Sequence, residues 1–442
     1  NNTHTMEMVN QLDRCSINTV CVSQLSQQGS VSRLLSIPTD AVLHCSLSEH
    51  VFFSYPSPAG RELNLEPMSP SHLFKVRADP TSYAWNMHCD SITEQAREIN
   101  SFKDLNGFLI ADLTTKLQSR DPLSLYRLSQ KTGVQVVMGA APDTETETSD
   151  YQPDAIDKLA QELVGELILG VKIGHLGVQG EFEDENYCTK AAFIGALDLS
   201  EMTNIGQAHQ PPWNTALAAV AKAVSKTGAP VVLKLPHFCL LALDLADLLK
   251  TLGIPAAKVI FTGMHSFQPL EYHKTLLLKG VNLCFDTFGS LQYYSGPEQL
   301  PNDEELCVRI SELLLVFDQE FSGEVMPASQ LLLSSGVRYG MQLQKYGGFG
   351  YGHVMQAVLP RLRRLGVDEK DIDLMLRKNL LCLLAWYEEP EVGKEPEEHL
   401  TCSFCKKDFR AKLGEYYTKF EFVYCKSKCL NAHRKANWTK DL

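Results

Sequence analysis

The chain has 442 residues, of which 44% are hydrophobic and 21% charged. That supplies enough apolar side chain for a buried core and excludes a disordered chain, and no run approaches the ~18–20 uninterrupted apolar residues of a spanning helix, so no membrane association is expected. Lys and Arg total 41 against 53 Asp and Glu, a formal charge of −12, which argues against a nucleic-acid coat; the length predicts one large domain plus a small one, or two to three ordinary ones.

Residues 1–34 are read as an N-terminal extension. Its start, Asn1 to Gln11, is polar and has no signal-peptide core, although a chain that opens on Asn leaves a removed leader open. Most of the thirteen cysteines stand singly in apolar surroundings, as Cys239, Cys284 and Cys382 do, which is the pattern of buried thiols in a reducing compartment. The expected location is the cytosol, or the cytosol and the nucleus.

A strand is expected near Ala41–Cys45. From about residue 105, β-branched apolar runs alternate with helical segments. Gly107–Leu113, Val134–Met138, Ile168–Ile173, Pro230–Leu235, Lys258–Thr262, Val281–Phe285 and Gln330–Ser334 read as strands. Leu123–Lys131, Asp154–Leu167, Thr215–Ser225, Leu241–Leu252, Leu270–Lys279, Asp303–Phe317 and His353–Leu365 read as helices. Eight βα units, with no GxGxxG after the first strand, predict an α/β fold: a (β/α)8 TIM barrel over residues 35–386 rather than an open doubly wound sheet. Helix Lys370–Trp386 closes it. Residues 387–400 hold six acids and two prolines without apolar period and read as an acidic linker.

The last segment, 401–442, reads as a small zinc-binding module. Cys402-x2-Cys405 is followed after nineteen residues by Cys425-x3-Cys429, with His433 four further on. A CxxC turn supplies two tetrahedral ligands, and cysteines at i and i+4 put two more on one helix face. A four-cysteine site is expected, with His433 as the alternative fourth ligand. Phe422 to Leu430 resembles the second half of treble-clef and MYND-like fingers, without the later ligands of a two-zinc MYND module. Such a finger is structural, and a 40-residue module needs its metal to fold. It carries a net +6, leaving −18 on the rest. A protein partner is expected through the finger, and its basic surface also suits a nucleic-acid contact.

Several segments together resemble the phosphotriesterase-related family of the amidohydrolase superfamily: Ser119-Arg-Asp-Pro, Thr132-Gly133-Val134, Thr227-Gly-Ala-Pro-Val, Phe285-Asp-Thr-Phe-Gly289, Tyr346-Gly-Gly-Phe-Gly-Tyr351, and Val354 through Pro360-Arg-Leu and Gly366-Val to Asp371-Ile-Asp and Asn379. They stand in the family's order over roughly residues 35–386. The resemblance implies a (β/α)8 barrel whose active members hold two divalent cations at the C-terminal mouth and hydrolyse esters, lactones or amides with a bridging hydroxide. It also implies a ligand set: HxH after the first strand, a carbamylated Lys or a Glu on the fourth, a His each on the fifth and sixth, and an Asp on the eighth.

Against that set, Ser48 stands for the leading His and His50 is kept; Lys172 takes the bridging position; Lys234 replaces the fifth-strand His; the sixth-strand His falls on Gly263, with His265 two residues on; and Ser334-Ser335-Gly336-Val337 lacks the Asp. An ammonium at Lys234 repels a cation, and Gly336 removes both a charge and a base, so a barrel metal is doubtful. His50, His175, His237 and His265 remain material for a different mononuclear site, or for hydrogen-bonded packing. Lys172 and Lys234 favour a small anionic ligand at the mouth, or pair with a carboxylate such as Asp112 or Asp286. The expectation is a non-catalytic member of the family, a scaffold or ligand-binding protein with a finger for its partner. The alternative is an atypical metal-dependent hydrolase of ester, lactone, amide or phosphoester bonds, rebuilt around His50, Lys172 and His265, with Lys234 a further candidate at the mouth.

Overall fold

A computed structural model describes residues 19–22, 33–36, 43–57, 62–142, 153–172, 188–237, 239–265, 267–290, 300–321, 326–386, 399–410, 417–419 and 422–437. The chain divides into two compact units, 1–387 and 388–442. Among the described residues, no helix is long and apolar enough to cross a membrane.

The first unit is built on one eight-stranded sheet: β1 His44–Glu49, β2 Gly107–Asp112, β3 Gln135–Ala140, β4 Phe193–Asp198, β5 Val231–Lys234, β6 Val259–Thr262, β7 Asn282–Phe285 and β8 Leu331–Leu333. The strands neighbour one another in chain order and every pairing is parallel. Parallel neighbours require a crossover, and helices such as Pro122–Thr132, Trp213–Thr227 and Ala242–Thr251 supply it. Asp121 caps the first of these by accepting from the Ser124 amide at 3.0 Å. Gly133 and Gly228 end the first two at φ 76° and 73°, a left-handed conformation that glycine adopts without strain.

Two features differ from the expected strand order. β1 lies three to four residues later than Ala41–Cys45. The fourth strand is Phe193–Asp198, not Ile168–Ile173. The amphipathic helix Pro153–Ile168 uses the first of those residues, and only Val171–Lys172 is extended, pairing antiparallel with Cys188–Thr189 outside the eight-stranded sheet. An apolar run six residues long is compatible with either a strand or a helix end, and here the helical period of the preceding segment wins.

Inside the barrel, Leu47, Leu109, Val137, Phe193, Val232, Ile260, Cys284 and Leu332 pack with Leu380, Leu381, Leu383 and Leu384 of the closing helix. That helix seals the N-terminal end. Its Asn379 amide donates to the carbonyls of Ala328 and Leu331 at 2.7 Å each, and Trp386 Nε1 donates to the Ala192 carbonyl. The other end is left for polar side chains. The larger apolar cluster lies between strands and outer helices.

The second unit holds two antiparallel strand pairs, His399–Thr401 with Asp408–Arg410 and Tyr417–Lys419 with Phe422–Tyr424, followed by helix Ser427–Asn437. This strand-pair and helix order is that of a treble clef.

Candidate active site at the barrel mouth

Side chains at the C-terminal ends of parallel barrel strands converge on one mouth. Register places Glu49 opposite Asp112, and Asp198, Lys234 and Thr262 at one level on β4, β5 and β6.

β1 and β8 close the barrel through Glu49. Its fully buried carboxylate accepts from Ser46 Oγ at 2.6 Å, Ser334 Oγ at 2.8 Å, and the amides of Ser335, Gly336 and Val337 at 3.1, 3.3 and 2.7 Å. Burial pushes this carboxyl up and the donors Ser46, Ser334, Val337 and Gly336 pull it back, leaving it at about 7.

Next to it, Asp112 Oδ1 accepts from Thr114 Oγ1 and from the Val51 amide, both at 2.8 Å. His50 Nδ1 lies 3.2 Å from the same hydroxyl. A hydroxyl has one proton; Thr114 gives it to Asp112, so its lone pair accepts from Nδ1–H of His50. The neutral imidazole is thereby held in the tautomer whose Nε2 is an acceptor. Burial keeps His50 well below its ordinary pKa, and the nearby charges of Arg338 and Lys234 act in the same direction. Asp112 is raised by burial to about 7, and its Oδ2 has no hydrogen-bond partner. The buried Tyr351 of the YGGFGYGH run sets its hydroxyl 3.0 Å from the His50 carbonyl, fixing the backbone of this histidine.

Two ion pairs complete the mouth. Lys234 Nζ lies 2.6 Å from Asp198 Oδ2. Burial alone would raise Asp198, but the ammonium outweighs it and holds the carboxyl at about 2. Asp286, of the Phe285-Asp-Thr-Phe-Gly289 run, is paired with Arg338 and accepts from Ser48 Oγ at 2.7 Å and from the Gly263 amide at 2.9 Å. The lysine partner is thus Asp198, neither Asp112 nor Asp286. His265 is buried, with Nε2 against the His237 carbonyl, and the two rings are 6.1 Å apart.

His50, Lys234 and His265 are therefore brought to the mouth, whereas Lys172 lies on the short pair outside the sheet. His175 is outside the described residues. Thr114, Asp198, Glu49 and Arg338 enter the site unannounced, and Asp112, expected as a lysine partner, enters as the partner of Thr114, although carboxylates ending GFLIAD and FIGALD were the legible sign.

The described residues do not fit a dimetal centre. The positions expected to carry the sixth-strand His and the eighth-strand Asp are glycines at φ 83° and 64°. A Cβ on Gly336 would overlap the Asp286 carbonyl oxygen, and one on Gly263 would come within 3.1 Å of the Leu235 carbonyl oxygen. Among the described residues, only the finger brings three or more His, Cys, Asp or Glu donors together. Cys402, Cys405, Cys425 and Cys429 place their sulfurs within 4.8 Å of one another, with Cys405–Cys425 at 3.6 Å and Cys425–Cys429 at 3.8 Å. Four sulfurs ~2.3 Å from one tetrahedral ion stand about 3.8 Å apart, so this cluster fits a metal. His433 lies outside it, with Nδ1 at 2.8 Å from the Tyr424 hydroxyl.

Burial gives the barrel a pH signature. His44, His50, His237, His265 and His273 all have lowered pKa values, chiefly through desolvation, so the unfolded chain takes up protons below about 6.5 that the fold refuses. Glu49 and Asp112 act oppositely, since the folded state holds their protons up to about 7. Five groups against two make the net effect a loss on acidification. The melting temperature should fall as pH drops from 7 to 5. His273→Gln, on helix Leu270–Leu278 behind Gln268, should flatten that fall and Asp112→Asn should steepen it.

A parallel eight-stranded barrel with convergent polar side chains at its C-terminal mouth and a C-terminal treble clef defines the class: a TIM barrel of enzyme build carrying a four-cysteine finger. Residues 48–383 match the phosphotriesterase family and residues 397–441 match the Vms1-associating treble clef domain. The chain belongs to the phosphotriesterase family. It is similar to the N-acetyltaurine hydrolase of Bos taurus, 24% identical over 80% of this chain and 97% of the relative, and to that of Dictyostelium discoideum, 26% identical over 67% and 75%. A resiniferatoxin-binding protein from Rhodobacter sphaeroides superposes with a TM-score of 0.63 at 28% identity, over 79% of this chain and 92% of that one. The phosphotriesterase homology protein of Escherichia coli does so with 0.54 at 19%, over 78% and 99%, a likeness of fold.

These relatives overturn the expectation of a non-catalytic scaffold. Proteins named as hydrolases align with this chain over nearly their whole length. That expectation counted lost metal ligands and did not foresee the hydrogen bonds of the carboxylates Glu49, Asp112 and Asp198, which share the mouth with His50 and Lys234.

Proposed function

We propose that the barrel is a hydrolase of acyl bonds, foremost the amide of a small N-acylated compound bearing an acidic group, working from a rebuilt mouth. The observation that carries this reading is the chain from His50 Nδ1 through Thr114 to Asp112, which leaves Nε2 as a proton acceptor beside two cations. The relatives named N-acetyltaurine hydrolase support the bond type.

In this reading a water oxygen attacks the carbonyl carbon and gives its proton to His50 Nε2. The carbonyl electrons move onto oxygen, facing the cationic groups. On collapse the C–N bond breaks and the imidazolium returns the proton to the leaving nitrogen, giving a carboxylic acid and an amine; the water's second proton then passes from the acid to the amine, leaving a carboxylate and an ammonium. Base catalysis of this kind contributes ~10²–10⁴-fold. Asp112 and Thr114 hold the tautomer that makes it work, as the orienting acid of a catalytic triad does.

The test is a panel of N-acetyltaurine, N-acetyl amino acids, lactones and esters incubated with the full chain, reading released amine or acid. Turnover of at least one member is expected; a wholly inert panel would sink the reading.

For the second unit we propose one structural zinc held by Cys402, Cys405, Cys425 and Cys429, and association with a protein partner, as the description of its domain indicates. A protein partner is the reading we favour over nucleic acid. Chelation of the full chain should remove one zinc per chain and abolish protection of residues 399–437 from proteolysis, while the barrel's melting transition persists. A finger still protected after zinc loss would contradict this.

A further inference from the structure

We infer that the positive charge of this barrel mouth is carried by Lys234 and Arg338 in place of divalent cations, and that the site takes an anionic ligand on them. The substrate class rests on the hydrolase reading, whereas the metal content and the anion site do not.

The backbone is the first argument. At Gly336 and Gly263 the chain has turned into left-handed conformations, and at Gly336 the Asp286 carbonyl fills the space of a side chain. A side-chain donor is thus excluded by geometry at Gly336 and strained at Gly263, beyond a change of residue type.

The fate of the remaining donors is the second. Glu49 is engaged at the β1–β8 seam, with Oε1 on four donors and Oε2 on the Val337 amide. Asp286 is committed to Ser48, the Gly263 amide and Arg338, and Asp198 to Lys234. His265 has its Nε2 turned to the His237 carbonyl, and His50 uses Nδ1 on Thr114. Among the described residues that leaves Asp112 Oδ2 and His50 Nε2, too few donors to surround a dication, and a dication would meet the ammonium and guanidinium.

The third is the unequal anchoring of the two cations. Asp286 is fully buried beneath Arg338, whereas the Asp198 side chain is 30% exposed beside Lys234. Arg338 is held rigidly. Lys234 can exchange Asp198 for an incoming anionic group without losing a partner, and the level of β4, β5 and β6 that it occupies faces His50 as well, whose proton affinity both cations lower. A sulfonate or carboxylate on the substrate is the group this exchange fits.

Metal content of the full chain after gel filtration, with sulfate binding measured at constant ionic strength set by chloride, tests the inference. One zinc per chain is expected, and none in Cys402→Ser/Cys405→Ser. Should that variant fail to fold, the wild-type count alone decides, because a second metal per chain would overturn the inference. Sulfate should bind the wild type and bind Lys234→Met at least tenfold more weakly; equal binding would overturn the anion site. A barrel metal found together with turnover would sink this inference and leave the hydrolase reading intact. One zinc and bound sulfate with an inert substrate panel would do the reverse.

Discussion

Replacing His50 with Gln is expected to lower kcat for acyl hydrolysis by at least ~10²-fold, the lower bound for removing a positioned general base. The imidazole sits in a buried setting that fixes every contact but one: Nδ1 is held by Thr114, the backbone carbonyl by Tyr351, and Nε2 is the acceptor. Gln offers a donor toward Thr114 and no base, so KM should change less than kcat. Thr114→Val provides the complementary readout. It breaks the relay while keeping the ring, so the tautomer is no longer imposed and the pH–rate profile should shift as well as fall. A merely structural histidine would lower melting temperature and leave the rate per folded molecule unchanged.

Restoring the family acid by Gly336→Asp is expected to destabilise the barrel by at least ~3 kcal/mol and to recruit no metal, the cost arising from a side chain forced into a left-handed backbone with no room. φ is 64° at this glycine, its Cβ position is filled by the Asp286 carbonyl, and its amide is one of the donors on Glu49. All three would be disturbed together. Thermal melting and metal analysis of the same sample read both parts. A Gly336→Asp variant as stable as the wild type, or one that gained a barrel metal, would show that the mouth is a substituted metal site whose backbone never changed.

The barrel was legible because its signals are redundant. Thr132-Gly133 and Thr227-Gly228 mark helix ends by backbone conformation, and the β-branched runs at Val231 and Val259 each follow such a stop or a turn, which favours a strand. Ile168–Ile173 misled because an apolar run after an amphipathic helix carries both periods. That error moved the bridging position onto Lys172 and hid Asp198. The finger cysteines were legible because ligands four residues or fewer apart are local. The mouth was not, since Glu49 meets residues nearly 290 positions away and the relay from His50 to Asp112 joins two strands. Such pairings follow from register, which no local pattern encodes.

The most direct measurement is the rate of acyl hydrolysis against metal bound per chain, taken across graded chelation and repletion. A non-zero rate that stays flat from one metal per chain downward, with His50→Gln inactive throughout, is the predicted result. A rate that is zero at one metal and rises with a second would contradict it, placing the chemistry on a barrel metal after all.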